Sequence, residues 1–192
     1  GSSSRYRLDE PLPPLAIPPT LQDSLMARLD RLGPVKEIAQ IGACIGREFS
    51  PDLLSAVAPI GEEALQNALR DLVDSELIIR RGSAPDTVYA FKHALVHDAA
   101  YGSLLKTKRQ ALHGAIARAV ETVFLRFGHG RPEFLARHYG AAGQLDRALP
   151  LWLSAGQTAL AKANVEEAIR HFEEGLRLVE GLPAGADRSA FA

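Results

Sequence analysis

Apolar residues recur every three or four positions along most of the chain. Leu21, Leu25, Leu29 and Leu32 mark a first amphipathic helix, with Thr20 as N-cap and Gly33-Pro34 as its stop. A second helix is predicted from Pro34 to about Ile45, with Val35, Ile38, Ala39 and Ile41 turned inward. Ser50-Pro51-Asp52 is a helix start: a capping hydroxyl, a proline whose missing amide costs nothing in the first turn, and an acid favoured by the helix dipole. That helix ends near Pro59. Gly61-Glu62-Glu63 opens the next, with Ala64, Leu65, Ala68, Leu69 and Leu72 on one stripe.

The period then changes. Leu77-Ile78-Ile79-Arg80-Arg81 is short, apolar and β-branched, and a turn follows from Gly82 to Asp86. Thr87 to Phe91 reads as the returning strand, with Val88, Ala90 and Lys92 on one face and Tyr89 and Phe91 on the other. Three helices followed by a two-stranded hairpin is the order of a winged helix. From Ala94 onward the pattern is helical, in segments 94–106, 108–127, 132–142, 145–162 and 165–181, with breaks at Lys106-Thr107, from Gly128 to Pro132, at Gly143 and at Asn164. Such short connections imply antiparallel neighbours.

A helix–turn–helix unit of about 34 residues is the tetratricopeptide period. The stretch 149–182 resembles one, with Trp152, Ala155, Gly156, Ala168, Phe172 and Gly175 at that family's spacings. Small residues at Gly156, Ala168 and Gly175 would let paired helices approach, and Trp152 and Phe172 would fill the gap between them. The family's first-helix aromatic is Ala159 here, and its closing proline is displaced to Pro183. The segment 133–148, with Phe134, Ala136, Tyr139, Gly140, Gly143, Asp146 and Ala148, looks like a shortened preceding repeat. A generic stack of α-hairpins is the alternative. Since about three repeats make a stable solenoid, further repeats are expected beyond Ala192. The fold class expected is mainly α: a winged-helix-like module with a small β-hairpin, then antiparallel tetratricopeptide-like repeats.

Composition narrows the chemistry. The 192 residues are 46% hydrophobic, enough for a core, and the net charge is -1, so nothing draws the whole chain to nucleic acid or an anionic membrane. A single cysteine, Cys44, excludes an internal disulfide and a cysteine-based zinc site. No apolar run reaches membrane-spanning length and no secretory signal is present, so a cytoplasmic setting is expected. Five of the 12 prolines (Pro11, Pro13, Pro14, Pro18 and Pro19) fall in residues 8–19, which suggests an extended linker from an upstream domain. Gly1-Ser2-Ser3-Ser4 looks like an expression remnant, and the chain is expected to be an excised piece of a longer protein.

The most informative string is Phe91-Lys92-His93-Ala94-Leu95-Val96-His97-Asp98-Ala99-Ala100-Tyr101, followed by Leu104-Leu105, Arg109, Leu112-His113 and Ile116-Ala117. It resembles the junction after the winged helix in STAND-type signalling ATPases. It looks especially like bacterial proteins that join a class III adenylate/guanylate cyclase domain, an AAA-like ATPase and tetratricopeptide repeats. The resemblance covers about 17–182 and includes Ile17-Pro18-Pro19-Thr20-Leu21-Gln22 and Leu29-Asp30-Arg31-Leu32, which fit the exit from the ATPase lid. In relatives such as the NB-ARC proteins a Met-His-Asp motif ends the winged helix, and its histidine contacts the phosphate of bound ADP. The resemblance places His93 at that histidine, Lys92 at the methionine and Ala94 at the acid, with Asp98 as a second acid along the helix. An imidazole and an ammonium at a helix N-terminus suit a phosphate. Alternatively, His93 caps its helix and packs under the wing. His97, His113 and His138 are each expected to be ordinary core or surface histidines.

Catalytic patterns are missing. There is no phosphate-binding loop, since Gly42 and Gly46 lack the following Lys and hydroxyl, no nucleophile elbow, and no His-Glu-x-x-His spacing. His93 and His97 have no third metal ligand by spacing. Glu62-Glu63 and Glu166-Glu167 are adjacent and diverge around their helices as first-turn acids. Cys44 is expected to be a buried small hydrophobe, and Lys106, Lys108 and Arg109 a solvated basic helix start. The rival function is DNA binding, but the recognition helix at 62–76 carries Glu62, Glu63, Asp71, Asp74 and Glu76 against Arg70 alone, and Arg80 and Arg81 on the wing do not compensate.

The expected organisation is a remnant and linker over 1–19, a winged-helix-like module over 20–93, connecting helices over 94–131, tetratricopeptide-like repeats over 132–183 and a tail over 184–192. The resemblance implies a non-catalytic regulatory piece of a multidomain signal-transduction ATPase. Its own residues would hold no cofactor, while ADP or ATP with magnesium would bind in the longer protein. The upstream ATPase domain would be its partner in cis, and a protein or other effector would bind the repeats. A plain interaction scaffold without nucleotide coupling is the further alternative.

Overall fold

The computed structural model describes residues 19–83, 86–122 and 131–181, with side chains from Ser24 onward. The proline-rich stretch before Pro19, the hairpin tip at 84–85, the expected helix end at 123–127, the break at 128–130 and the tail from 182, Pro183 included, lie outside those residues. The described chain is mainly helical with one small antiparallel sheet. In order it comprises α1 (Pro19–Arg31), α2 (Val35–Ile45), β1 (Glu48–Phe49), α3 (Pro51–Val57), α4 (Glu62–Asp74), β2 (Ile78–Arg81), β3 (Val88–Phe91), α5 (Ala94–Gly102), α6 (Lys106–Thr122), α7 (Pro132–Ala141), α8 (Leu145–Ala161) and α9 (Val165–Glu180).

Local chemistry sets most boundaries. The Ser50 hydroxyl accepts the Leu53 amide at 3.2 Å and Pro51 follows in the first turn of α3. The Asn164 side chain accepts the Glu167 amide at 3.2 Å and starts α9. Gly143, at φ 78, makes the left-handed turn between α7 and α8 that a side chain would resist. Two expected boundaries move. Helix α1 begins at Pro19, ahead of Thr20, because proline needs no amide partner in a first turn. The break before α6 falls at 103–105 instead of Lys106-Thr107. The Ser103 hydroxyl there donates to the Ala100 carbonyl at 2.7 Å and accepts from Gln40 Nε2 at 2.8 Å, closing α5.

The sheet has three strands where a two-stranded hairpin was expected. Its order is β1-β3-β2, with Glu48 opposite Ala90, Phe49 opposite Tyr89, and Ile78 opposite Phe91. The Phe91 amide also donates to the Arg47 carbonyl at 3.0 Å. Being central, β3 buries Tyr89, Ala90 and Phe91 in succession, so its two faces do not alternate in exposure. Phe49 stacks on Tyr89 with centroids 6.1 Å apart and tilts against Phe91 at 5.7 Å.

Helix α2 is the centre of the core. Every residue from Ile38 to Ile45 is buried. Each buried isoleucine there contributes roughly 1.5–3 kcal/mol. Gly42 lets the Phe49 ring close on the helix, since a Cβ at that position would stand 2.9 Å from Phe49 Cε1. The same apolar cluster runs through Leu65, Leu69 and Leu72 of α4, Val96 and Ala100 of α5, Ile116 and Val120 of α6, and on to Tyr139 and Ala148. A second cluster joins Ala136, Trp152 and Ala155 across α7 and α8.

Candidate functional site

Helix α5 starts directly after β3. His93 is its N-cap residue, with an extended backbone, and its side chain makes no capping bond. His93 and Lys92 are both exposed. Lys92 Nζ lies 3.2 Å from a carboxylate oxygen of Glu76, which holds a left-handed φ of 56 just before β2. The His93 imidazole therefore stands open at a helix N-terminus beside an ammonium, instead of packing under the hairpin. Asp98, one turn on, is engaged elsewhere: its Oδ1 is 2.8 Å from His97 Nδ1.

Inward from this end a ladder of rings crosses the molecule. His97 meets the edge of Phe91 at 5.4 Å and stacks on Tyr101 at 6.3 Å, with an interplanar angle of 6°. Tyr101 meets His113 at 5.8 Å, His113 meets His138 at 4.9 Å, and His138 meets Phe134 at 4.4 Å. Polar links run along the same line. His97 Nε2 donates to the Ala43 carbonyl at 3.1 Å. The Tyr101 hydroxyl lies 3.0 Å from His113 Nε2, and His113 Nδ1 lies 2.8 Å from His138 Nδ1.

The partners fix the proton positions. Burial, then the like charges of Arg137 and Arg109, hold His113 down at about 4. Burial, then His113 and Arg137, hold His138 down to about 2, against a small opposing pull from the Ile45 carbonyl. Both rings are thus neutral near pH 7, and each carries one N–H. The arrangement that satisfies most atoms has the Tyr101 hydroxyl donating to His113 Nε2 and His113 Nδ1–H donating to His138 Nδ1. His138 then presents Nε2–H toward the Ile45 carbonyl. That nitrogen is buried and its geometry there falls short of a hydrogen bond. Arg109 lies over the Tyr101 ring at 5.1 Å, and its Nε is likewise buried without a hydrogen-bond partner. The network ties α2, α5, α6 and α7 together. Among the described residues no group of three or more His, Cys, Asp or Glu side chains is placed to hold a metal ion.

The residues of the predicted repeat meet across α8 and α9. A Cβ on Gly156 would lie 2.1 Å from Phe172 Cε1, and one on Gly175 would lie 3.4 Å from Trp152 Cβ. Ala168 is fully buried in the same interface. Trp152 also packs on His171, with ring centroids 5.6 Å apart. Sequence reasoning took His113 and His138 singly and passed over Arg137. Their positions, 25 residues apart, meet only through the packing of α6 on α7, and each sits on the apolar stripe of its helix.

Fold and site together define a mainly helical protein whose small sheet opens, through an exposed His-Lys pair, onto a buried histidine ladder. No protein-family model matches the chain, and no solved structure does. An uncharacterized protein of Rhizobium meliloti (strain 1021) is 31% identical over 155 residues, which is 80% of this chain and 15% of that protein. The chain therefore spans 15% of the length of that relative. Among the described residues no helix is long and apolar enough to cross a membrane.

Proposed function

We propose that this chain is a non-catalytic regulatory segment of a larger cytoplasmic signal-transduction ATPase of the cyclase-linked group. In this reading α2 to β3 form a winged-helix module that reports nucleotide state, and α7 to α9 begin a tetratricopeptide-like array. The carrying observation is the element order helix, strand, helix, helix, hairpin, closed by β1 against β3 and followed at once by the open imidazole of His93. A nucleotide bound to an upstream ATPase domain would meet His93 and Lys92 from the solvent side. The greater length of the Rhizobium relative fits a segment of this kind.

The repeat half of the proposal rests on an exposed stripe. Val165, Ile169 and Leu176 lie on one face of α9, at 58%, 51% and 61% exposure, and Leu153 and Leu160 are exposed on α8. A further repeat of the longer chain would cover that face. Duplex DNA is disfavoured as a partner, because Glu62, Glu63, Asp71 and Asp74 all lie exposed on α4.

The test is ADP binding by calorimetry on the full-length protein, with and without His93→Ala. At least a fivefold loss of affinity, on the order of 1 kcal/mol, is the expected result. Equal affinity in both proteins refutes the sensor and leaves an interaction scaffold.

A further inference from the structure

A cavity of about 390 Å³ opens between the α2–β1 turn, α3 and the start of α7. That volume falls at the small end of the range for small-molecule sites. Three arginines line it: Arg47 from the turn, Arg131 just before α7, and Arg137 in the second turn of α7. The carboxylates at hand are already engaged. Glu48 pairs with Arg81 at 2.6 Å and Glu133 with Arg131 at 3.2 Å. Arg47 makes no ion pair among the described residues, and its main chain is fixed by the Phe91 amide.

Arg137 is held in place without being neutralised. Its Nη2 donates to the Ile45 carbonyl at 3.1 Å, and its guanidinium lies 5.5 Å from the Phe134 ring centroid. The bond to Ile45 closes the C-terminal end of α2, where a cation is favoured. It uses one of five N–H donors. Although the side chain is exposed overall, the cavity walls withdraw water from its head. That desolvation, and then the like charge of Arg131, lower its pKa from the usual arginine range. Like charges gathered in a partly dry cavity are relieved by an anion.

We propose that this cavity is a binding site for a small phosphate-bearing ligand, with Arg47 and Arg137 as its principal contacts and Phe134 as an apolar wall. Guanidinium forks match phosphate oxygens in pairs. The α2–β1 turn and α7 both contribute, so the ligand would clamp the sheet-bearing half of the molecule to the first helix of the repeat half. The site does not involve His93 and stands apart from the nucleotide-sensing role proposed above.

The experiment is calorimetric titration of inorganic pyrophosphate, and separately of ADP, into this chain at about 50 mM salt, where screening is weak. Saturable binding of pyrophosphate is expected, weakened about tenfold by Arg47→Gln and by Arg137→Gln, and unchanged by His93→Ala. Arg47→Gln is the decisive variant, because that side chain supports no other element, whereas Arg137→Gln also removes a bond to α2. Tighter binding of ADP than of pyrophosphate identifies a nucleotide as the ligand. Equal binding identifies the phosphate group alone. Absence of saturable binding up to about 10 mM, or affinity untouched by Arg47→Gln, overturns the proposal.

Discussion

His113 and His138 face each other nitrogen to nitrogen, 2.8 Å apart, in a part of the core where their residues are 5% and 0% exposed. Two imidazolium ions could not share that position, and one would be costly. The pair therefore records the protonation state in which the chain folds. It also couples helix α6 to α7, on the line where the sheet-bearing half meets the helical hairpins.

Stability should fall as acid is added through the histidine range. In the unfolded chain both groups titrate near 6.5, whereas in the fold they sit at about 4 and about 2. The folded state binds fewer protons, so the contribution is fully present above pH 6.5 and is lost progressively below it. The loss amounts to roughly 2 kcal/mol per histidine by pH 5. Urea denaturation at pH 7.5, 6 and 5 measures this. A His113→Gln/His138→Gln double variant, which keeps donors and acceptors but not the titration, should show a shallower slope. An identical slope would mean that the pair is not the source.

The outcome for sequence reading is uneven, for physical reasons. Elements whose signal is local were legible: the Leu65, Leu69 and Leu72 stripe of α4, the Ser50-Pro51 start of α3, and the β-branched Ile78-Ile79 of β2. Strand β1 was not. Two residues, Glu48 and Phe49, carry no period, and they become a strand only by pairing with Ala90 and Tyr89 some forty positions away. The exposed placement of His93 could not be read either, because it depends on whether the hairpin folds over the helix start. The arginine cavity was invisible for the same reason: Arg47 and Arg137 are separated by most of α3 to α7 in sequence. By contrast, Gly156 and Phe172 could both be assigned to one helix interface from their spacing, because a helical hairpin fixes which faces of its two arms meet; that they lie directly against each other is seen only in the structure.

The thiol of Cys44 should be inert in the folded chain. It is 2% exposed, and burial pushes it up to about 12, with Arg109 pulling only weakly the other way. A thiolate is needed for reaction with a disulfide reagent. Labelling with an aromatic disulfide at pH 8 should therefore proceed at the rate of unfolding and become fast in denaturant. Rapid stoichiometric labelling under native conditions would contradict the burial of α2.

Ala163 offers a route to greater stability. It closes the turn between α8 and α9 at φ 58, a left-handed conformation that a Cβ disfavours. The Asn164 amide reaches back to the Ala159 carbonyl at 2.9 Å, a bond that only this turn allows. Ala163→Gly should keep that bond and relieve the strain. The expected gain is about 0.5–1 kcal/mol, offset in part by the freer unfolded chain. Thermal melting of the variant should show a modest rise in midpoint. A fall would mean that the turn is not left-handed in solution.

Gly156 should be the least replaceable small residue of the α8–α9 hairpin. A Cβ there would lie 2.1, 2.5 and 2.6 Å from three atoms of the Phe172 ring, all closer than carbon atoms can stand. The ring is only partly buried, so it can yield, but yielding moves it off the α8 surface and opens the interface beside Trp152. Gly156→Ala is expected to destabilise by about 1–3 kcal/mol, despite the higher helix propensity of alanine. At an open helical position the same change would stabilise. Combining it with Phe172→Leu, which withdraws the clashing ring atoms, should recover much of the loss, so the two substitutions are strongly non-additive. Chemical denaturation of the wild type, both single variants and the double variant measures the coupling. Simple additivity would place Phe172 away from Gly156 and refute the close approach of α8 and α9 on which the repeat reading depends.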